Sequence, residues 1–310
     1  METQTALTAA RKNKHRSMVK YVSNKESYAN LVHSPKFSLS EDTAFFTIGS
    51  CFARNIENYL NKKKISYFSQ VPYVKGEYFK VPGPDRTGYQ NVYTPGSVLE
   101  MSKLISHPDP FHSIVEVKGL YYDLLTHGLK GISKEDTISI REGLIETYSR
   151  LSKVDVIIIT LGYNEAWRFK PANSWVNQSP GEPNLRPLAE DFDFHILDVN
   201  DVTDMLVQAT ENFRAINKEI KIIYTVSPVP LSATFSEKHI VVANQFSKST
   251  LRCAAENLAS QFDFVDYFPS YEIIVNTEYK KAFKEDGIHV QAEAVENVMN
   301  IFFDSYFSEK

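Results

Sequence analysis

The stretch over residues 44–54, AFFTIGSCFAR, constrains the fold more than any other in the chain. Ala44, Phe45, Phe46, Thr47 and Ile48 form an apolar run with one threonine interleaved, the pattern of a strand buried on both faces. Gly49 then permits a sharp turn, and Ser50 and Cys51 follow at once. From Phe52 the period changes, because Phe52, Ile56, Tyr59 and Leu60 share one face at helical spacing. A strand that turns through glycine into a helix brings its turn side chains to the carboxyl edge of a sheet, where open α/β sheets hold their ligands. The N–H groups that begin the helix favour an anion there. A thiol in that position has a lowered pKa and is a better nucleophile. The same turn also suits a cysteine that is only a small core residue.

Further along, 154–161 (VDVIIITL) is a nearly unbroken β-branched run and predicts a central parallel strand. It exits at Gly162-Tyr163-Asn164-Glu165. A second buried strand is expected over 220–226, ending at Ser227-Pro228-Val229-Pro230, and short ones over 65–68 and 264–267. Helical patterns fill 97–105, 133–151 (capped by Ser133), 200–216 (capped by Asn200 or Asp201), 239–259 and 290–307, with a hairpin or edge segment over 114–124. Strands alternating with helices argue for βαβ units, hence a three-layer α/β/α sandwich with a mostly parallel, flavodoxin-like sheet. Residues 1–40 read as a polar arm and 41–310 as one domain. Pro- and Gly-rich insertions are expected at 70–97, as a surface-running, substrate-covering loop, and at 171–193.

Composition narrows the class. With 310 residues, 43% of them hydrophobic, the chain can bury a substantial core. A net charge of −4 leaves no basic excess for nucleic acid. Two cysteines, Cys51 and Cys253, are too few for a disulfide scaffold and fit a reducing compartment, so a cytoplasmic protein is expected. The basic N-terminus lacks the apolar stretch of a secretory signal, and no run is long enough to span a membrane. His107, His112, His127, His195 and His239 are scattered without ligand spacing, so neither metal nor cofactor is expected.

Three chemistry-bearing segments fall at strand exits or in the loops after them: Gly49-Ser50-Cys51, Gly162-Tyr163-Asn164 and Asp286-Gly287-Ile288-His289. In a turn, an aspartate and a histidine three residues apart can point the same way, which suits a histidine base oriented by a carboxylate. An asparagine ending a central strand is a good oxyanion donor, alongside N–H groups at the nucleophile turn.

This ordered set resembles the SGNH/GDSL acyl-esterase superfamily, with Cys51 over the nucleophile of G-D-S, Gly162 to Glu165 over G-x-N-D, and Asp286 to His289 over D-x-x-H. The frame G-D-S-x-x-R of the wall-polysaccharide acetylation branch also fits Gly49 to Arg54, again with Cys for Ser. The GSCFA family resembles it more closely, through GSCFA at 49–53, NVYT at 91–94, TLG and EAW around 160–167, SPVPL at 227–231, SKSTLR at 247–252 and YFPSYE at 267–272. The resemblance implies an SGNH-hydrolase fold and an O-acyl esterase or O-acyltransferase, with an acetyl group expected, that acts on a carbohydrate or envelope-polysaccharide precursor. It implies Cys51 as nucleophile with Ser50 as the alternative, His289 as base and Asp286 as its orienting acid. Oxyanion donors are expected from Asn164, Gly162 and Asn91, and substrate contacts from Arg54, Tyr93, Glu165, Trp167 and Arg168. A thioester at Cys51 would pass its acyl group readily, which keeps an acyl-CoA donor among the expected partners. The competing expectation is a non-catalytic glycan-binding or scaffolding protein on the same fold. A thiol redox role is disfavoured because no resolving cysteine lies near Cys51.

Overall fold

The computed structural model describes residues 2–23, 26–106, 108–109 and 111–307; the side chain of Cys51, like His107, lies outside the described set. Two short helices, α1 (Thr3–Lys12) and α2 (Met18–Ser23), come first and bury no residue. The sheet begins with β1 (Phe45–Gly49), and the chain turns at once into α3 (Cys51–Lys62). Next come α4 (Pro95–Lys103), the hairpin β2 (Ile114–Val117) and β3 (Leu120–Asp123), α5 (Lys134–Ser149) and β4 (Val156–Leu161).

After β4 the chain leaves the main sheet for β5 (Glu165–Phe169), β6 (Ser174–Val176) and β7 (Phe192–Ile196). It returns through α6 (Val199–Ile216), β8 (Lys221–Val226), α7 (Ile240–Gln261) and β9 (Val265–Tyr267). Three helices close it: α8 (Ser270–Asn276), α9 (Tyr279–Ala282) and α10 (Ala292–Tyr306).

The main sheet runs β1-β4-β8-β9, all parallel, and Tyr67 bridges Phe45 in parallel on the outer side of β1. Counting that bridge as the second strand gives the flavodoxin-type order 2-1-3-4-5, whose switch point lies between β1 and β4. Side chains alternate along each strand and so divide the interior in two. Phe45, Val156, Ile158 and Ile223 join one core with α3, α8 and α10; Phe46, Ile48, Ile157, Ile159 and Ile222 join the other with α4 to α7. The protein is therefore a three-layer α/β/α sandwich.

Several local expectations are corrected. The 70–97 segment runs along the surface with residues 80–85 exposed, but it is no free cover: Val71, Val74, Phe79, Tyr89 and Val92 are buried in the core, and Val92 N–H donates to Gly49 O at 2.9 Å. Its prolines and glycines bend the chain between apolar anchors that pack inward. The 171–193 segment is not wholly irregular either. It holds β6, and with β5 and β7 it forms a three-stranded antiparallel sheet of order β6-β5-β7. The cap of α6 is Asp198, in a reciprocal capping box with Asp201.

Candidate active site

At the β1 exit the backbone of Gly49 takes φ +149°, and a Cβ there would sit 2.7 Å from both Cβ and the carbonyl oxygen of Thr160, its register partner on β4. Glycine is thus required twice over, by conformation and by space. Ser50 caps α3 in extended conformation, its Oγ accepting from Phe52 N–H at 3.4 Å. It faces a cavity of about 490 Å³ over the carboxyl ends of β1 and β4. Among the described residues Ser50 makes no hydrogen bond to His289.

Ile288 and His289 supply another part of the wall. Their loop is closed by the Phe283–Val290 bridge and by Lys284 N–H donating to His289 O at 2.8 Å. Inside it, Asp286 Oδ1 accepts from the N–H groups of Ile288 and His289, both at 2.9 Å, and Oδ2 accepts from His289 Nδ1 at 2.6 Å. Gly287 provides the left-handed turn at φ +68°. The bond from His289, and then the two backbone donors, hold the Asp286 carboxyl well below the usual carboxylate range. With Nδ1 donating to the carboxylate, the lone pair of His289 sits on Nε2, the nitrogen a base needs. The imidazole is 60% exposed, open to an incoming substrate.

The remaining wall is aromatic and polar. Tyr93 stacks on Tyr163 (5.5 Å between centroids) and meets His127 edge-on (4.7 Å). Burial pushes His127 down to about 4, so this second imidazole stays neutral at ordinary pH, and raises the Tyr163 phenol. Trp167 of β5 packs against Phe192, Phe194 and Phe235. Residues 229–233 and Phe235 form the facing side.

Of the residues expected from sequence, Ser50, His289, Tyr93, Gly162, Glu165 and Trp167 border this cavity, and Asp286 stands behind His289. Others are placed elsewhere. Gly162 is no oxyanion donor, since its N–H donates to Tyr93 O at 2.9 Å. Asn164 is buried outside the cavity, its Nδ2 donating to Leu197 O at 2.7 Å. Asn91 lies behind Tyr93 and donates to its hydroxyl at 3.4 Å.

The expected substrate contacts need correction as well. Arg54 turns away to Glu57, its Nη1 2.6 Å from Oε1, while its Nη2 donates to Thr47; the group ties α3 to β1. Arg168 projects from β5 on the face opposite Trp167 and bonds Asn173. Glu165 borders the cavity, but both its oxygens are engaged, one by Thr234 Oγ1 and the other by Phe235 N–H at 2.8 Å.

Sequence reasoning missed Phe235, His127 and above all Lys248. Lys248 is fully buried on α7, where it donates to two backbone carbonyls of the cavity wall, those of Gly162 and Val229. The signal was available: Lys248 shares a helix face with Leu251 and Ala255, both core residues.

The GSCFA family model matches residues 44–302 of this chain. No curated protein matches it. Among solved structures the chain is similar to a family 3 carbohydrate esterase of Clostridium thermocellum, at 10% identity and TM-score 0.39, over 84% of this chain and 94% of that one. It is also similar to the lipopolysaccharide acetyltransferase periplasmic domain of Salmonella ser. Paratyphi A, at 12% identity and TM-score 0.34, over 93% and 88% of the two chains.

Proposed function

Since this chain belongs to the GSCFA family, we propose that it carries out ester chemistry of the acyl-transfer kind, as an O-acyl esterase or O-acyltransferase on a carbohydrate or an envelope-polysaccharide precursor. The observation that carries the reading is the Asp286–His289 pair, with Nε2 left as base, bordering the same cavity as the β1 exit.

In this reading Cys51 is the nucleophile. Its thiol proton passes to His289 Nε2 as the sulfur attacks the acyl carbonyl. The carbon–oxygen bond of the ester then breaks, and the departing alcohol takes the proton from the imidazolium. Water or an acceptor hydroxyl then attacks the thioester carbonyl, giving its proton to the same nitrogen; the carbon–sulfur bond breaks, and the departing thiolate takes that proton back to restore the free thiol and neutral imidazole. The N–H of Cys51, which opens α3, receives the developing oxyanion, in place of Asn164, Asn91 and Gly162. Asp286 holds the tautomer. Tyr93 and Trp167 offer aromatic surface to the substrate. Working in the cytoplasm, the protein keeps this thiol reduced.

Intact-mass measurement after mixing with 4-nitrophenyl acetate tests the assignment. The wild type is expected to gain one acetyl group that Cys51→Ala cannot carry and that persists longer in His289→Ala. An adduct retained by Cys51→Ala and lost in Ser50→Ala would move the nucleophile to Ser50. No adduct in any variant would sink covalent catalysis.

A further inference from the structure

We propose that Lys248 is the positioning residue that fixes the separation of the cavity's two walls, one built on the β4 exit and the other on residues 227–235. Its side chain is 1% exposed, and Nζ donates to Gly162 O and to Val229 O, both at 2.7 Å. Gly162 and Val229 each border the cavity, and their carbonyls converge on one nitrogen. Both carbonyls lie beyond Leu161–Val226, the last ladder pair of β4 and β8, so the sheet offers them no partner.

The choice of lysine is informative. An apolar side chain at 248 would pack against the surrounding core and leave each carbonyl to water in the cavity. What Lys248 adds is a span at the cavity floor, between the Ser227 N–H to Leu161 O bond at the sheet edge and the Glu165 bonds to Thr234 and Phe235 further out. Among the described residues these carbonyls are its only partners, with no carboxylate to offset the buried charge. Burial accordingly pushes the amine down to about 7. A neutral amine still has two N–H donors, the number in use, so the tether does not depend on the charge.

The neighbours of Lys248 on α7 share the work. Asn244, one turn earlier, accepts from Leu231 N–H at 3.0 Å, and Ser247 accepts from Asn164 N–H at 3.0 Å. Each of these pins one wall, whereas Lys248 pins both.

The tether stands on geometry alone; its service to turnover rests on the acyl-transfer reading. The test is Lys248→Met in the full chain, a change that keeps the length and removes the donors. Amide hydrogen exchange is expected to quicken about tenfold at residues 162–164 and 229–235 and to stay unchanged in β4 and β8. With 4-nitrophenyl acetate, which needs little of the cavity, kcat is expected to stay within about threefold; with penta-O-acetylglucose, KM is expected to rise about tenfold.

Unchanged exchange in both walls, faster exchange throughout the sheet, or equal losses of kcat and KM on both esters would overturn the proposal. Should Lys248→Met fail to fold, Asn244→Ala serves instead. Its exchange gain is expected at 229–235 alone, and a gain in both walls or in neither would overturn the proposal. A wild type that turns over neither ester, beside a local exchange gain in Lys248→Met, would remove the acyl-transfer reading and support the tether.

Discussion

The Asp286 carboxylate is 45% exposed, so its Coulombic attraction for an imidazolium is screened by water. Its value to the site lies in fixing which ring nitrogen carries the proton. Asp286→Asn would let the amide donate to Nδ1 and shift the proton to Nε2, the wrong tautomer for a base. Ester turnover by this variant is expected to fall about 10²–10⁴-fold in kcat with KM little changed. Its melting temperature should stay close to that of the wild type, because the residue is on the surface. Steady-state kinetics beside a thermal melt checks both halves. This pair was legible from spacing alone, since a three-residue turn closed by a glycine leaves the two side chains few other directions. Asn164 was not. A polar residue at a strand exit can face the ligand or the turn beneath it, and Leu197 O, more than thirty residues away in the chain, decides which.

The same distinction between local and distant determinants holds for whole elements. The parallel strands and long helices follow from apolar periodicity, which the chain writes locally. The antiparallel sheet β6-β5-β7 does not, because its strands are short, and β6 is placed by its ladder with β5 and by packing on α4, which is distant in the chain. That sheet matters for the site, since it carries Trp167 on one face and, through Glu165, holds the loop that presents Phe235. The Phe235 ring is 57% exposed, although the Glu165 carboxylate that fixes its backbone is buried. Taking away that acceptor leaves Phe235 N–H to water and Thr234 Oγ1 to Ser236 alone, a local loss of about 1 kcal/mol, while the fold as a whole loses little. Glu165→Ala is therefore expected to open residues 231–238 to limited proteolysis at temperatures where the rest of the chain is still folded. An unchanged cleavage pattern would mean that the loop is held by its aromatic contacts instead.

At the scale of the whole molecule, the region read from sequence as one polar arm behaves as two parts, because burial and not polarity sets the boundary. The part before residue 24 buries nothing in α1 or α2. Residues 26–40 instead strap the outer core to the last helices. Ala29 N–H donates to Thr277 Oγ1 at 3.1 Å, Asn297 Nδ2 donates to Ala29 O at 3.0 Å, and Leu39 N–H donates to Tyr306 O at 2.8 Å. Tyr28, Leu31, Phe37 and Leu39 pack beside them on the core of α3, α8 and α10. The packed helix α10 follows directly on the Asp286–His289 loop, so this strap indirectly supports the base. Removing residues 1–23 exposes no core, and the melting temperature is expected to move by no more than about 2 °C. Removing residues 1–40 uncovers those apolar contacts and leaves Asp266 without the N–H of Lys36. After the chain entropy of the strap is credited back, the net loss is about 3–5 kcal/mol, or about 10 °C in melting temperature. Differential scanning calorimetry of the two truncations decides between one arm and two. Equal melting temperatures would mean that residues 26–40 lie on the surface without supporting it, and the base loop would then owe its position to α9 and α10 alone.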